Sequence, residues 1–445
     1  TGRLGMGVTG RPGTGLFAVA LLAANFTFLS YATGGLETMF QTALLTTVIA
    51  LVLDGDGRVS PGRAAAISLL GAAALMTRLD SAVLLLPSAL WLAWRIRCRA
   101  LSAGAIAALT VPAAAALGGW FWWKWLYYGR LLPNTFAAKV EPNGGSLLNG
   151  LLYLGRFLHW YGLWPVMLLG LVALWRRRAP VPRTILWLAS TLAVWAIYII
   201  YVGGDFMEFR FLVPAAPCLF VMLAWLTGRC MDDWLRRPVL GRVAVAAFLA
   251  SLSLLHAARF RDSTRDLSLD SIPALSTFYG RYADGDWGRI GRALRRQLPE
   301  TDITLALHAV GAIPYFSHMN TVDMWGLNDP FVARHGLRPP GAFRRPGHSR
   351  MAPVAYLEQR GVHLVIGHPT LIAPGLLTRE PNADFVAMWL NRMTLMDTDS
   401  VQEATVLAIP IDASTTLLAW YLTPHAAIDT AVAREEGWEL YRLSR

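Results

Sequence analysis

The chain has 445 residues, of which 55% are hydrophobic and only 16% charged, and its mean hydropathy is +0.41. Soluble chains carry about 25% charged residues, so an ordinary soluble protein is excluded, and the 18 tryptophans point to an integral membrane protein. The net charge of +11 does not indicate nucleic acid, because the arginines cluster between apolar runs and no basic reader motif occurs.

A spanning helix needs about 20 largely apolar residues to cross a ~30 Å hydrocarbon core. Such runs lie near 16–33, 36–53, 64–78, 82–95, 102–123, 148–175, 184–202, 211–228 and 242–259. They are too long for barrel strands, so helices are expected. The third and fourth are short enough to be one broken or tilted pair. The sixth is long, and its "LHWYGLWP" has the composition of a surface helix ahead of the span.

The connections sort into two sets by charge. "DGDGRVSPGR", "RIRCR", "RRRAPVPR" and "GRCMDDWLRRPVLGR" are arginine-rich, which the positive-inside rule assigns to the cytoplasm. "GGLE", "RLD", the loop after the fifth span and "GGDFMEFR" then face outward, as does everything after Phe260. The stretch from Gly118 to Pro142 moves from an apolar helix into a polar loop through Trp120, Trp122, Trp123, Trp125, Tyr127 and Tyr128. Amphipathic rings favour a membrane–water interface, so this collar is expected at the outer surface.

The composition changes at "RFRDSTRDLSLDS", which divides a transmembrane domain (1–260) from an extracytoplasmic domain (261–445). In the latter, "DITLALHAV", "NTVDMWG", "VHLVIGH", "TVLAIPI" and "WELYRL" read as short buried strands. "GDWGRIGRALRRQL" and "MAPVAYLEQRG" read as helices, the second ending at Gly361. The alternation predicts a small α/β domain. Three cysteines, Cys98, Cys218 and Cys230, make no disulfide framework.

Charged groups are costly at membrane depth, and those that persist face a cavity or a partner. Four outward connections carry them: Glu37 after Gly34-Gly35-Leu36; Arg78 and Asp80 in "TRLD"; Lys124, Arg130, Asn134 and Lys139 in and around the aromatic loop, with Tyr128 beside them; and Asp205, Glu208 and Arg210 in "GGDFMEFRF". Folding that gathered them would make an electrostatic site. Arginine and lysine clamp phosphates; a carboxylate can bind a sugar hydroxyl, accept a proton or hold a divalent metal ion. The alternative for each residue alone is a snorkelling side chain or an interfacial ion pair. The nine histidines show no metal-binding spacing, and no phosphate-loop, dinucleotide-binding or serine-hydrolase motif occurs.

With "YYGRLLPNTFAAK", "TGGLET", "TRLD", "GGDFMEFRFLVPAAP" and "VDMWGLNDP" in this order, the chain resembles bacterial GT-C membrane glycosyltransferases, nearest the terminal β-(1→2)-arabinofuranosyltransferase family of mycobacterial cell-wall synthesis. The resemblance implies a polyprenyl-phosphate sugar donor, a glycan acceptor on the outer face and inverting transfer. It makes Lys139 and Arg210 phosphate-side candidates and Glu37, Asp80 and Asp205 the polar, catalytic candidates. Asn134 would orient the "LPNTF" loop, while Trp325, Asn328 and Asp329 would cover the acceptor side; Arg78, Lys124, Tyr128 and Arg130 complete the substrate-binding set. The family carries its hallmark acidic residues in the first outer loop. By this alignment the first span here corresponds to the family's third, so that loop is expected ahead of Thr1. Two other functions fit the composition: a transporter of lipid-linked sugar, and a membrane-anchored sugar-binding protein without activity.

Overall fold

The computed structural model describes residues 1–9, 12–53, 59–139, 144–177, 181–234, 238–261, 269–281, 286–299, 302–338, 350–379, 383–394, 403–434 and 437–444. Two compact units divide the chain: residues 1–131 with 142–274, and residues 132–141 with 275–445. The "LPNTF" segment therefore belongs to the unit that contains the C-terminal sheet.

The first unit is helical: α1 (Gly2–Thr9), α2 (Pro12–Ala23), α3 (Phe26–Thr33), α4 (Glu37–Leu53), α5 (Pro61–Thr77), α6 (Ser81–Arg97) and α7 (Ala103–Tyr128), then, after α8 (Asn134–Lys139) of the second unit, α9 (Gly144–Trp160), α10 (Leu163–Arg177), α11 (Arg183–Val202), α12 (Ala216–Trp234) and α13 (Pro238–Arg261). Among the described residues, three helices are long and apolar enough to cross a membrane: Ala103–Tyr128, Arg183–Val202 and Val239–Phe260. Two bent pairs would raise the number to five. In the first of these helices only 6% of the most apolar window is buried inside the protein. A helix apolar all round, with Trp122, Trp125 and Tyr127 outward, is suited to lipid rather than water.

The structure departs from the sequence expectation in the run at 16–33 and in the stretch after residue 118, and it breaks the run at 148–175 at the "LHWYGLWP" segment. The run expected at 16–33 is two helices bent by 71°. Asn25 makes the break: its backbone is extended and its side-chain oxygen accepts the Phe28 N–H at 2.9 Å, as an N-cap does. Two other backbone donors freed there are met from distant parts of the chain, Phe26 N–H by Ser253 Oγ at 2.7 Å and Thr27 N–H by the Tyr161 hydroxyl at 3.0 Å. The run at 148–175 bends by 83° between α9 and α10, where Gly162 has φ +58°. The aromatic stretch after residue 118 stays helical through Tyr128, and Gly129, with φ 63°, caps it.

The second unit carries a seven-stranded mixed sheet: β1 (Thr304–Leu307), β2 (Asn320–Asp323), β3 (Leu364–Gly367), β4 (Leu371–Ile372), β5 (Glu403–Asp412), β6 (Thr415–Tyr421) and β7 (Glu439–Ser444). The order is β2-β1-β3-β6-β5-β7, with β4 beside β6; β1 pairs in parallel with β2 and β3, and the remaining pairs are antiparallel. Successive side chains alternate faces. Val365, Val406, Leu418 and Trp420 therefore meet one core, with Val354, Leu357 and Trp389, while Leu364, Ile366, Leu407 and Leu417 meet another, with Ile290, Leu294 and Ile428. The sheet is covered on both faces by helices, as its apolar runs require. Five strands fall where the sequence places them. β4 and β6 are additional; β6 follows β5 through a tight turn in which Ser414 N–H and hydroxyl donate to Asp412 at 2.9 and 2.8 Å.

Candidate functional site

Within the helical unit, three separate connections meet at one end of the helices. Arg78 follows α5 and reaches Glu37, the first residue of α4, through Nη1 at 2.8 Å. It also grips Asp80 with a fork: Nη2 to Oδ2 at 2.6 Å and Nε to Oδ1 at 3.1 Å. Such paired contacts fix orientation as well as charge. Asp80 precedes α6 but caps nothing with its side chain, because Arg78 and Gln41 (Nε2 to Oδ1, 2.9 Å) occupy it.

The third connection follows α11. Gly203 and Gly204 have φ +86° and +77°, values that only glycine adopts freely. A Cβ on Gly204 would lie 2.9 Å from the Tyr153 ring. This turn delivers Asp205, whose Oδ2 is 2.6 Å from Arg210 Nε, both side chains being largely buried. The backbone of residues 207–211 is held from two sides: the Tyr153 hydroxyl donates to Met207 O at 3.2 Å, and Trp195 Nε1 to Phe211 O at 2.6 Å. Arg78 and Arg210 lie over the same Phe211 ring, at 5.7 and 5.6 Å from its centroid. Thus Glu37, Arg78, Asp80, Asp205 and Arg210, spread over 174 positions of sequence (210 − 37 + 1), form one cluster around Phe211.

Burial grades the carboxylates. Side-chain exposure is 42% for Glu37 against 9% for Asp80 and 2% for Asp205. Arg63, in one of the arginine-rich connections, lies at the opposite helix end. Arg63 Nε donates to Leu51 O near the end of α4 at 2.6 Å, about 20 Å from Glu37 by helical rise.

The aromatic loop contributes less than its residues promise. Lys124 makes no ion pair among the described residues; its ammonium sits 4.6 Å from the Trp120 ring centroid, folded back along α7. Tyr128 is exposed and meets Trp123 and Tyr127 edge-on. Arg130 follows the Gly129 cap. Lys139 closes α8, and its side chain lies outside the described residues.

The other candidates belong to the second unit. Asn134 Nδ2 donates to Asn328 O at 3.3 Å, which ties the "LPNTF" segment to the "GLNDP" turn. Trp325, half-buried, stacks on His308 with centroids 4.7 Å apart. Asp329 braces its turn: Oδ1 accepts from Phe331 and Val332 N–H at 2.9 and 3.0 Å, and Oδ2 from the Tyr356 hydroxyl at 2.9 Å and Arg360 at 3.2 Å. Asp323, a residue the sequence does not advertise, shapes the same turn by accepting from Trp325, Gly326 and Asn328 N–H at 2.9, 3.1 and 2.7 Å. Burial raises its carboxyl above the usual range against the pull of those donors.

Sequence reasoning also passed over His256. It lies in the last apolar run, 2.7 Å from Glu208, both buried. The available signal was a histidine inside "LSLLHAARF", where a polar group at depth needs a partner. Among the described residues no three His, Cys, Asp or Glu side chains converge where they could hold a metal ion.

Comparison with known families finds one match: the model of a domain of unknown function, DUF8728, covers residues 277–419, within the second unit. Neither characterised proteins nor solved structures give a match.

Proposed function

We propose that the protein is a polytopic membrane glycosyltransferase of GT-C type. It would move a sugar, arabinofuranose by its resemblance, from a polyprenyl-phosphate donor to a cell-envelope glycan with inversion. On this reading the site faces outward from a bacterial plasma membrane, and the C-terminal unit is extracytoplasmic. The observation that carries it is the gathering of Glu37, Arg78, Asp80, Asp205 and Arg210 from three connections around Phe211.

The charges suggest how the site works. Two guanidinium groups and three carboxylates sum to −1 (2 − 3), so a donor phosphate cannot simply be added to them. Glu37 is the exposed member and holds Arg78 by one contact. An incoming phosphate oxygen replaces Glu37 at Arg78 Nη1, while Asp80 keeps the guanidinium aimed. Glu37, now released, stands beside the anomeric carbon as the base. The acceptor hydroxyl oxygen bonds to that carbon from the face opposite the phosphate. The carbon–oxygen bond to phosphate breaks, its electron pair leaves with the polyprenyl phosphate, and Glu37 takes the hydroxyl proton. Arg210, steadied by Asp205, offsets the charge developing on the leaving group.

The test gives labelled polyprenyl-phosphate sugar and an acceptor glycan to membranes containing the protein. Glu37→Gln is expected to cut transfer roughly 10²–10⁴-fold, the usual worth of a general base, while donor binding persists. Arg210→Ala loses donor binding as well. Movement of sugar-lipid across the membrane without transfer would replace this reading with a transporter; sugar binding with neither would leave a binding protein.

A further inference from the structure

Beneath the site lies a buried polar group that the transfer step does not use. Glu208 and His256 are 0% and 3% exposed, with His256 Nε2 2.7 Å from Glu208 Oε1. Thr27 Oγ1 donates to the same carboxylate oxygen, and the Tyr161 hydroxyl lies 2.7 Å from Thr27 Oγ1. Five aromatic rings surround the imidazole: Phe26, Trp160, Tyr161, Phe209 and Phe260. Three buried atoms here, Glu208 Oε2, His256 Nδ1 and the Tyr31 hydroxyl, have no hydrogen-bond partner among the described residues. Glu208 lies in the chain between Asp205 and Arg210, so this group adjoins the Asp205–Arg210 pair.

Burying such a pair is a poor way to stabilise a bundle, since apolar side chains of similar volume serve as well or better. Its placement has a different use. Glu208 stands between Asp205 and Arg210 in a segment with few regular backbone bonds. Its N–H donates to Asp270 O at 3.0 Å, Asp270 N–H donates to Phe206 O at 2.8 Å, and Phe209 is held at φ 41°. The carboxylate pulls this segment inward onto α3 and α13, and Asp205 and Arg210 are left at the height of Arg78. We propose that Glu208 and His256 are positioning residues that lock residues 205–210 in the geometry the donor headgroup requires; this rests on the glycosyltransferase reading only for what the geometry serves.

The full-length protein in membranes, with Cys98, Cys218 and Cys230 replaced by serine, tests the anchoring through Met207→Cys, a position 7% exposed. Reaction of that thiol with a water-soluble maleimide should be slow. It should quicken roughly tenfold with His256→Phe or Glu208→Leu, but stay slow with His256→Gln, which restores an N–H donor to the carboxylate. In the transfer assay, His256→Phe should raise KM for polyprenyl-phosphate sugar and lower kcat/KM by up to roughly 10²-fold, the scale of a 1 Å misplacement, with rescue by His256→Gln. If His256→Phe fails to accumulate, Thr27→Val, which removes one hydroxyl from the carboxylate, should give a smaller change of the same sign. Unchanged thiol reactivity, or kcat lost with KM unmoved and no rescue, overturns the proposal. Should the parent protein transfer no sugar, the maleimide rates still decide the anchoring, and it is the glycosyltransferase reading that falls.

Discussion

In the helical unit Asp80 and Asp205 each pair with an arginine, and their Oδ1 atoms also accept from Gln41 Nε2 and the Phe206 N–H; in the C-terminal unit Asp323 accepts three backbone N–H groups, and Asp329 accepts two besides the side chains of Tyr356 and Arg360. Both kinds of aspartate are buried, yet they serve different ends. A carboxylate that caps a turn cannot leave without exposing several donors, so it defines shape. A carboxylate paired with a side chain can exchange that partner for a charged ligand at a small net change in charge. The helical unit is therefore where ligand chemistry is sought first, while Asp329, an acceptor-side candidate by sequence, also braces the "GLNDP" turn.

The sharpest way to break this contrast is to cut the Asp205–Arg210 pair. Arg210→Met leaves a carboxylate buried alone and is expected to cost about 3–5 kcal/mol, whereas Asp205→Asn with Arg210→Met should recover much of it. Denaturation in detergent along this double-mutant cycle checks both, and additive losses would mean that the two side chains do not act as a pair. Next is Asp323→Ala, which strands three N–H groups and should cost about 1–3 kcal/mol, seen in the denaturation of the C-terminal unit; no loss would demote the cap.

A smaller effect comes from His363. Burial, and then the charge of His425, lower its pKa, and its Nδ1 accepts the Thr304 N–H at 2.9 Å. The unfolded chain takes up this proton first as pH falls. Stability from His363 is therefore complete above the ordinary histidine value of about 6.5 and is lost as pH drops toward the folded value. Denaturation midpoints at neutral and mildly acidic pH should diverge in the parent and converge in His363→Asn. Least of all should come from Arg289→Ala at the exposed pair with Asp412, about 0–1 kcal/mol. Asp412 is held at about 2 first by the Ser414 backbone and hydroxyl, and Arg289 adds least.

Much of this contrast was readable in the sequence, for physical reasons that name its limits. Short apolar runs bounded by polar residues gave β1, β2, β3, β5 and β7, but β6 sits only two residues after β5, and the turn that Asp412 and Ser414 mark in "PIDASTTLLAWY" was passed over. The cluster at Glu37, Asp80 and Arg210 was legible because charge is rare in the connections that are not arginine-rich. What Lys124 does was not, since an ammonium flanked by tryptophans has the same sequence whether it reaches for a ligand or lies back on a ring. Nor was the bend at Asn25, because one asparagine in an apolar run carries no warning that partners from α13 and the Tyr161 turn will complete it. His256 was lost among nine scattered histidines.

That bend also sets a timetable. Phe26 N–H finds its acceptor on Ser253, 227 residues later in the chain. At ribosomal speeds of about 5–20 residues per second, roughly 10–45 s pass before the acceptor exists. During this interval the break between α2 and α3 has an open backbone donor, which water or another polar group must satisfy. The α2–α3 bend thus cannot take its final form until α13, the third of the membrane-length helices among the described residues, has been made.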